Sequence, residues 1–140
     1  MTTRILVPVD GSELSRRAAE FAAKLARAFS ARVVLLYVFD APTGGVLGLA
    51  AHAADHLKKA SEQLAADAFA KATAILGDIE TLRLHQTGEP AKTILAVAAS
   101  EGIDHIVMGS RGLSPLQEIM VGSVSETVLQ DAPCPITIVR

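Results

Sequence analysis

The chain has 140 residues and a formal net charge of −2; half of its residues are hydrophobic and a fifth are charged. That is one domain's worth of sequence, able to bury about two-thirds of its unfolded surface and too apolar for a disordered tail or a linker. The absence of any Lys/Arg cluster argues against nucleic-acid binding, and no apolar run approaches the roughly 18 to 20 residues that a membrane span needs.

The opening "MTTRILVPVD" enters a strand at once, without the apolar core and cleavage site of a secretory leader, so a cytoplasmic location is expected. "RILVPVD" (4–10) is short and β-branched, as a strand buried on both faces should be. Asp10-Gly11 ends it, Ser12 offers a helix N-cap, and Leu14, Ala18, Phe21, Ala22, Leu25 and Phe29 follow at helical spacing. "RVVLLYVF" (32–39) repeats the strand signature. An uncharged, glycine-rich connector follows, a lid or an interface by its apolar composition. It leads to a helix expected from about 55 to 76, with Leu57, Ala60, Leu64, Ala68, Ala72 and Ile75 as its apolar stripe and Gly77 as its stop. "IETLRLHQ" (79–86) alternates with period two, the mark of a less covered strand. Gly88 and Pro90 open a helix whose core face holds Ile94, Leu95 and Ala98, and Gly102 closes it. "DHIVMG" (104–109) is a fourth strand. A short helix over 123–131 and the strand "PITIVR" (135–140) complete the chain. The lone cysteine, Cys134, sits between two prolines with no basic neighbour, which makes it a packed thiol and not a nucleophile.

Strands alternating with helices of ten or more residues imply right-handed crossovers, hence a doubly wound α/β fold with a mostly parallel sheet and helices on both faces. Ligands of such sheets bind beyond the carboxyl ends of the strands, where strand order reverses. Two loops with unusual residues fall there, Asp10-Gly11-Ser12 and the segment from 109 to 123. In the second, Gly109 and Gly112 can take positive φ and turn main-chain amides toward an anion. Ser123 and Glu126 form an S-x-x-E capping box, which starts the last helix at Ser123 with its positive dipole end on the same space. Leu116, Ile119, Met120 and Val121 would tie the middle of the loop to the core. Arg111 reads either as a phosphate contact or as a solvated loop arginine, and the loop itself as an anion site or a tight structural turn. Neither a P-loop nor a G-x-G-x-x-G fingerprint is present.

The pattern G-x-x-G, nine residues, G-[ST], met by Gly109, Gly112, Gly122 and Ser123, resembles the ATP-binding signature of the universal stress protein family. "ILVPVDGSELSRRAAEFAAKLA", "VVLLYV" and "GSVSETVLQDAPCPITIVR" resemble the opening, second strand and closing elements of that family, so the likeness covers residues 1–140. The resemblance implies a Rossmann-like, five-stranded sheet in the order 3-2-1-4-5 and an ATP cofactor, alone or with Mg²⁺, lying across strands 1 and 4. It puts Asp10 and the main chain at Pro8 and Val9 beside ribose and base, Val38 against adenine, Gly109, Arg111, Gly112, Gly122, Ser123, Val124 and Ser125 around the phosphates, and Met108 among the cofactor-binding residues. Members with the glycine signature resemble ATP binders and members without it do not. It also implies a homodimer through the C-terminal strand 135–140, whose unpaired apolar edge wants a partner.

Rival chemistries fare worse. A haloacid-dehalogenase phosphatase needs an Asp where this chain has Pro8, and a response-regulator receiver needs an acid after the third strand, where it has Gln86, Thr87 and Gly88. Asp10 could instead cap the Gly11-Ser12 turn, a role compatible with ribose contact. His52 and His56 have the i, i+4 spacing of metal ligands but lack a third ligand nearby, so no metal is expected. His85 and His105 read as satisfied or exposed rings. No residue of the loop presents itself as a base, so ATP binding with slow or absent hydrolysis is the expectation, that is, a nucleotide-dependent regulatory module and not an enzyme. A weak ATPase or phosphotransferase and a nucleotide-independent interaction protein are the alternatives.

Overall fold

The structure, a computed structural model, describes residues 2–40, 49–110 and 122–140; within 49–54 only the backbone and the Ala53 side chain are described. Five strands and four helices alternate: β1 (Arg4–Pro8), α1 (Glu13–Phe29), β2 (Arg32–Phe39), α2 (Leu49–Leu76), β3 (Thr81–Thr87), α3 (Pro90–Ser100), β4 (His105–Gly109), α4 (Ser123–Asp131) and β5 (Ile136–Val139). The strands form one sheet in the order β3-β2-β1-β4-β5, parallel at every junction. Among the described residues no helix is long and apolar enough to cross a membrane.

Each central strand is β-branched and buried on both faces, so it feeds two apolar layers. Ile5, Val7, Val33, Leu35 and Val107 point toward α1 and α2, and Leu6, Val34, Leu36, Ile106 and Met108 toward α3 and α4. At both edges the covering thins: Leu82 of β3 is 46% exposed, and the four residues of β5 are all partly exposed.

The two long helices bury only part of the faces expected of them, sharing Ala18, Ala22, Ala68 and Ala72 with the predicted stripes but not their large outer side chains. In α1 the sheet-facing residues are Ser15, Ala18, Ala19, Ala22, Ala23 and Ala26, while Phe21 and Phe29 are exposed. In α2 they are Ser61, Ala65, Ala68, Ala72 and Leu76: Ala68 and Ala72 are buried as expected and Ile75 packs partly buried beside them, whereas Leu57, Ala60 and Leu64 face outward and Ser61 and Ala65 lie on the sheet instead. Small side chains let a helix lie close on the sheet, and that packing outweighs the burial of two phenylalanines. The α2 helix also begins at Leu49, about two turns before the expected residue 55. α1 is closed by Ser30 in the left-handed region (φ 54°) and α2 by Gly77 (φ 60°).

Register differs sharply along the sheet. β1 pairs with β2 over five positions, Arg4 to Pro8, but with β4 over only two, Ile5 opposite His105 and Leu6 opposite Ile106. Below this short ladder the Asp104 carboxylate accepts hydrogen bonds from Thr3 N and Oγ1 and from Arg4 N (2.8–3.3 Å). Burial pulls that carboxyl upward, but the donors from Thr3 and Arg4 together outweigh it and hold it below the ordinary carboxylate range. His105 Nε2 bonds Thr137 Oγ1 at 2.8 Å, tying β4 to β5, and burial lowers its pKa against the opposing charge of Asp104. Cys134 packs against the α3/α4 layer, and burial, with Asp104 adding to it, pushes its thiol upward, as a packed cysteine requires.

Candidate functional site

Where β1 and β4 part, a cleft of about 260 Å³ opens at their carboxyl ends. This is the point at which strand order reverses, where physical reasoning places the ligand of an open α/β sheet. The volume lies just below the roughly 300–1,000 Å³ typical of small-molecule sites, so a nucleotide-sized ligand would fill it and project from its mouth.

Its wall is apolar: Leu36 and Val38 of β2, Pro90 and Ile94 of α3, Met108 of β4 and Val124 of α4. Its rim is polar and built from the β1–α1 turn. Asp10 Oδ1 accepts from Ser12 N (2.9 Å), Ser12 Oγ accepts from Ser15 N (3.2 Å), and Ser15 Oγ accepts from Asp10 N (3.2 Å). Gly11 makes this tight loop possible at φ 82°. Asp10 therefore caps its own turn with one oxygen, and it is the only ionisable side chain among the described lining residues. Its charge also reaches Tyr37, whose hydroxyl is pushed up first by burial and then by Asp10.

On the opposite side of the cleft stand Gly109, Val124 and Ser125. Gly109 is not among the glycines with positive φ, contrary to the conformational reading. It is glycine for space, since a Cβ there would lie 2.9 Å from Leu14 Cβ and 3.3 Å from the Leu14 carbonyl carbon. The expected capping box is also displaced by one residue. Gly122 is the N-cap and Ser123 the first helical residue, and Gly122 has no side chain with which to satisfy the helix amides. Gly122 N donates to Ser110 O (2.7 Å), whereas the amides of Ser123, Val124 and Ser125 have no acceptor within the helix.

Pro8, Val9, Asp10, Val38, Met108, Gly109, Val124 and Ser125 thus meet in one cleft. Gly122 and Ser123 stand at the start of α4 without lining it, and Arg111, Gly112 and the loop's apolar middle lie outside the described residues. Sequence reasoning placed Ser12 in a loop at the ligand end of the sheet but did not assign Ser15, Leu36, Pro90 or Ile94 to the site. The period-two relation to Val38 would have found Leu36, and Pro90 opens a helix at the same sheet edge. Among the described residues no group of three His, Cys, Asp or Glu could hold a metal ion.

These features define a doubly wound α/β protein with an open cleft at its switch point. Residues 1–140 match the family model for the universal stress protein family, and the chain belongs to that family. It is 34% identical to universal stress protein YxiE of Bacillus subtilis and 36% identical to a universal stress protein of Thermus aquaticus, each comparison covering 100% of both chains. Among solved structures it resembles universal stress protein UspA from Lactobacillus plantarum, with a TM-score of 0.90 and 29% identity over 99% of this chain and 98% of that one. The same fold recurs in a universal stress protein in complex with cAMP (TM-score 0.72, 22% identity, 99% and 97% covered). It recurs again in one from Archaeoglobus fulgidus in complex with dAMP (TM-score 0.73, 19% identity, 100% and 98% covered).

Proposed function

We propose that the cleft between β1 and β4 binds an adenine nucleotide, ATP with or without Mg²⁺, and that the protein is a cytoplasmic, nucleotide-dependent regulatory module of the stress response. The observation that supports this most is the pairing, in one cleft, of an apolar slot with the first turn of a helix whose N-cap, Gly122, has no side chain to cap it. A flat base suits the slot formed by Leu36, Val38, Ile94 and Met108, and an anion suits the start of α4. In this reading Val38 and Met108 lie against adenine, and Pro8, Val9 and Asp10 border base and ribose. Gly109, Gly122, Ser123, Val124 and Ser125, with Arg111 and Gly112, surround the phosphates. The complexes of fold relatives with cAMP and dAMP lend the adenine its support. Hydrolysis is slow or absent in this reading, because phosphoryl transfer to water needs a group that positions the nucleophile, and Asp10 already spends one oxygen on its own turn.

The test is to denature the purified protein, identify any released nucleotide by mass, and titrate the emptied protein with Mg-ATP in a calorimeter. An adenine nucleotide and a micromolar dissociation constant, about −8 kcal/mol, are expected. Finding no released nucleotide and no heat of binding would overturn the proposal. Turnover above buffer that disappears in Val38→Trp, which fills the apolar slot, would assign a weak ATPase or phosphotransferase instead.

The assembly proposed with it is a homodimer through the 135–140 strand. β5 is an edge strand with one side unpaired. Arg17 Nη1 donates to the Arg140 carbonyl (3.0 Å), which sets the Arg17–Phe21 face of α1 beside that edge, with Phe21 40% exposed. Thr137 and Val139 are poor places for a disrupting charge, since one bonds His105 and the other packs on the core. Phe21→Glu is the cleaner probe: the parent should sediment as a dimer and the variant as a monomer, and a monomeric parent would overturn the pairing.

A further inference from the structure

The Ser125 side chain is 2% exposed and lines the cleft, yet its hydroxyl does not point to a ligand: it donates to the Gly109 carbonyl at 2.8 Å. Two main-chain bonds accompany it. Gly122 N donates to Ser110 O at 2.7 Å, and Ser110 N donates to Val139 O at 2.8 Å. Together the three bonds join the end of β4 to the start of α4 and to the neighbouring edge strand. Gly109 and Ser110 form one stem, Gly122 to Ser125 the other, and the bonds cross between them at both levels.

We infer that Ser125 is a positioning residue for nucleotide binding, a latch that fixes the first-turn amides of α4 against the end of β4 before any ligand arrives. The inference rests on the nucleotide reading above. Ordering these amides at the moment of binding would cost entropy; holding them in place beforehand spares it, so the hydroxyl acts on affinity through its bond to Gly109, apart from any contact the Ser125 main chain makes with the phosphates. Within the clip Ser125 supplies the one side-chain bond, and the other two are main chain, so Ser125 is the member a substitution can remove without altering the backbone.

The experiment compares Ser125→Ala with Ser125→Thr, which keeps the hydroxyl, and with two controls on the same helix. Thr127→Ala removes a hydroxyl bonded only within α4, to Ser123 O, and Val128→Ala removes buried apolar bulk. Mg-ATP affinity is read by calorimetry, stability by thermal melting, and hydrogen exchange at the Gly122 amide by NMR. Ser125→Ala should weaken Mg-ATP binding by about tenfold, the scale of one buried hydrogen bond, and speed exchange at Gly122. Ser125→Thr should restore both; Thr127→Ala should change neither; Val128→Ala should lower the melting temperature with affinity kept. Unchanged affinity and exchange in Ser125→Ala would overturn the inference. So would a loss of affinity that tracks melting temperature across all four variants, since that is what a merely structural residue does. If the parent binds no Mg-ATP the nucleotide reading falls by itself, whereas exchange at Gly122 still reports on whether the latch exists.

Discussion

Gly109→Val is expected to destabilise the protein by about 1–3 kcal/mol, the usual cost of forcing extra atoms into a packed site, and to abolish ligand binding in the cleft. Gly109 closes β4 directly beneath the first turn of α1, where an added Cβ would approach Leu14 Cβ to 2.9 Å and the Leu14 main chain to 3.3 Å. The flexible end of the leucine side chain is not the obstacle. Leu14→Ala should therefore fail to rescue the valine variant, which separates backbone crowding from side-chain crowding. Relief must come from lifting α1, and with it the Asp10–Ser12 rim that the helix start carries. Thermal melting should show a fall of about 2–4 °C for each kcal/mol lost in a chain near this size. A variant that melts and binds like the parent would mean that the helix yields at no cost.

Leu36→Ala carries the larger cost in stability. Leu36 is fully buried, part of the layer that includes Leu6, Ile94 and Met108, and forms part of the cleft wall. Truncating a leucine in such a place costs about 2–5 kcal/mol, a large share of the roughly 5–15 kcal/mol that holds a domain of this kind together. Leu82→Ala, on the edge strand where the residue is 46% exposed, removes the same atoms and should cost within about 0.5 kcal/mol. Chemical denaturation of the two variants side by side checks the contrast; equal losses would contradict the division between covered and uncovered strands.

The strands were legible because β-branched runs such as "RVVLLYVF" have one physical use, a place between two helical layers. Helix faces were legible only in part: Ala18, Ala22, Ala68, Ala72, Ile94 and Ala98 are buried as the spacing predicts, but the largest side chains misplaced the rest. Alanine carries little hydropathy, so Phe21, Phe29, Leu57 and Leu64 dominated the periodicity, yet close approach to the sheet selected Ala19, Ala23 and Ala65 instead. The start of α4 was placed correctly and its cap was not, because S-x-x-E at 123–126 fits the pattern while the main chain uses Gly122 one residue earlier. In the cleft, the switch-point rule pointed to Asp10, Ser12 and Gly109, while Pro8, Val9 and Val38 came only from the family resemblance. Pro90 and Ile94 arrive from α3, dozens of residues beyond β2, and nothing local to the sequence announces where such a crossover helix will lie.

The two-rung pairing of β1 with β4 has a consequence for how the cleft came to exist. The sheet is stapled at one end by Asp104 and unzipped at the other, like a clothes peg sprung open, so diverging strands open the hollow and loops such as Asp10–Ser12 border it. Rewriting those loops would change which molecule is gripped, but the jaws would still stand apart.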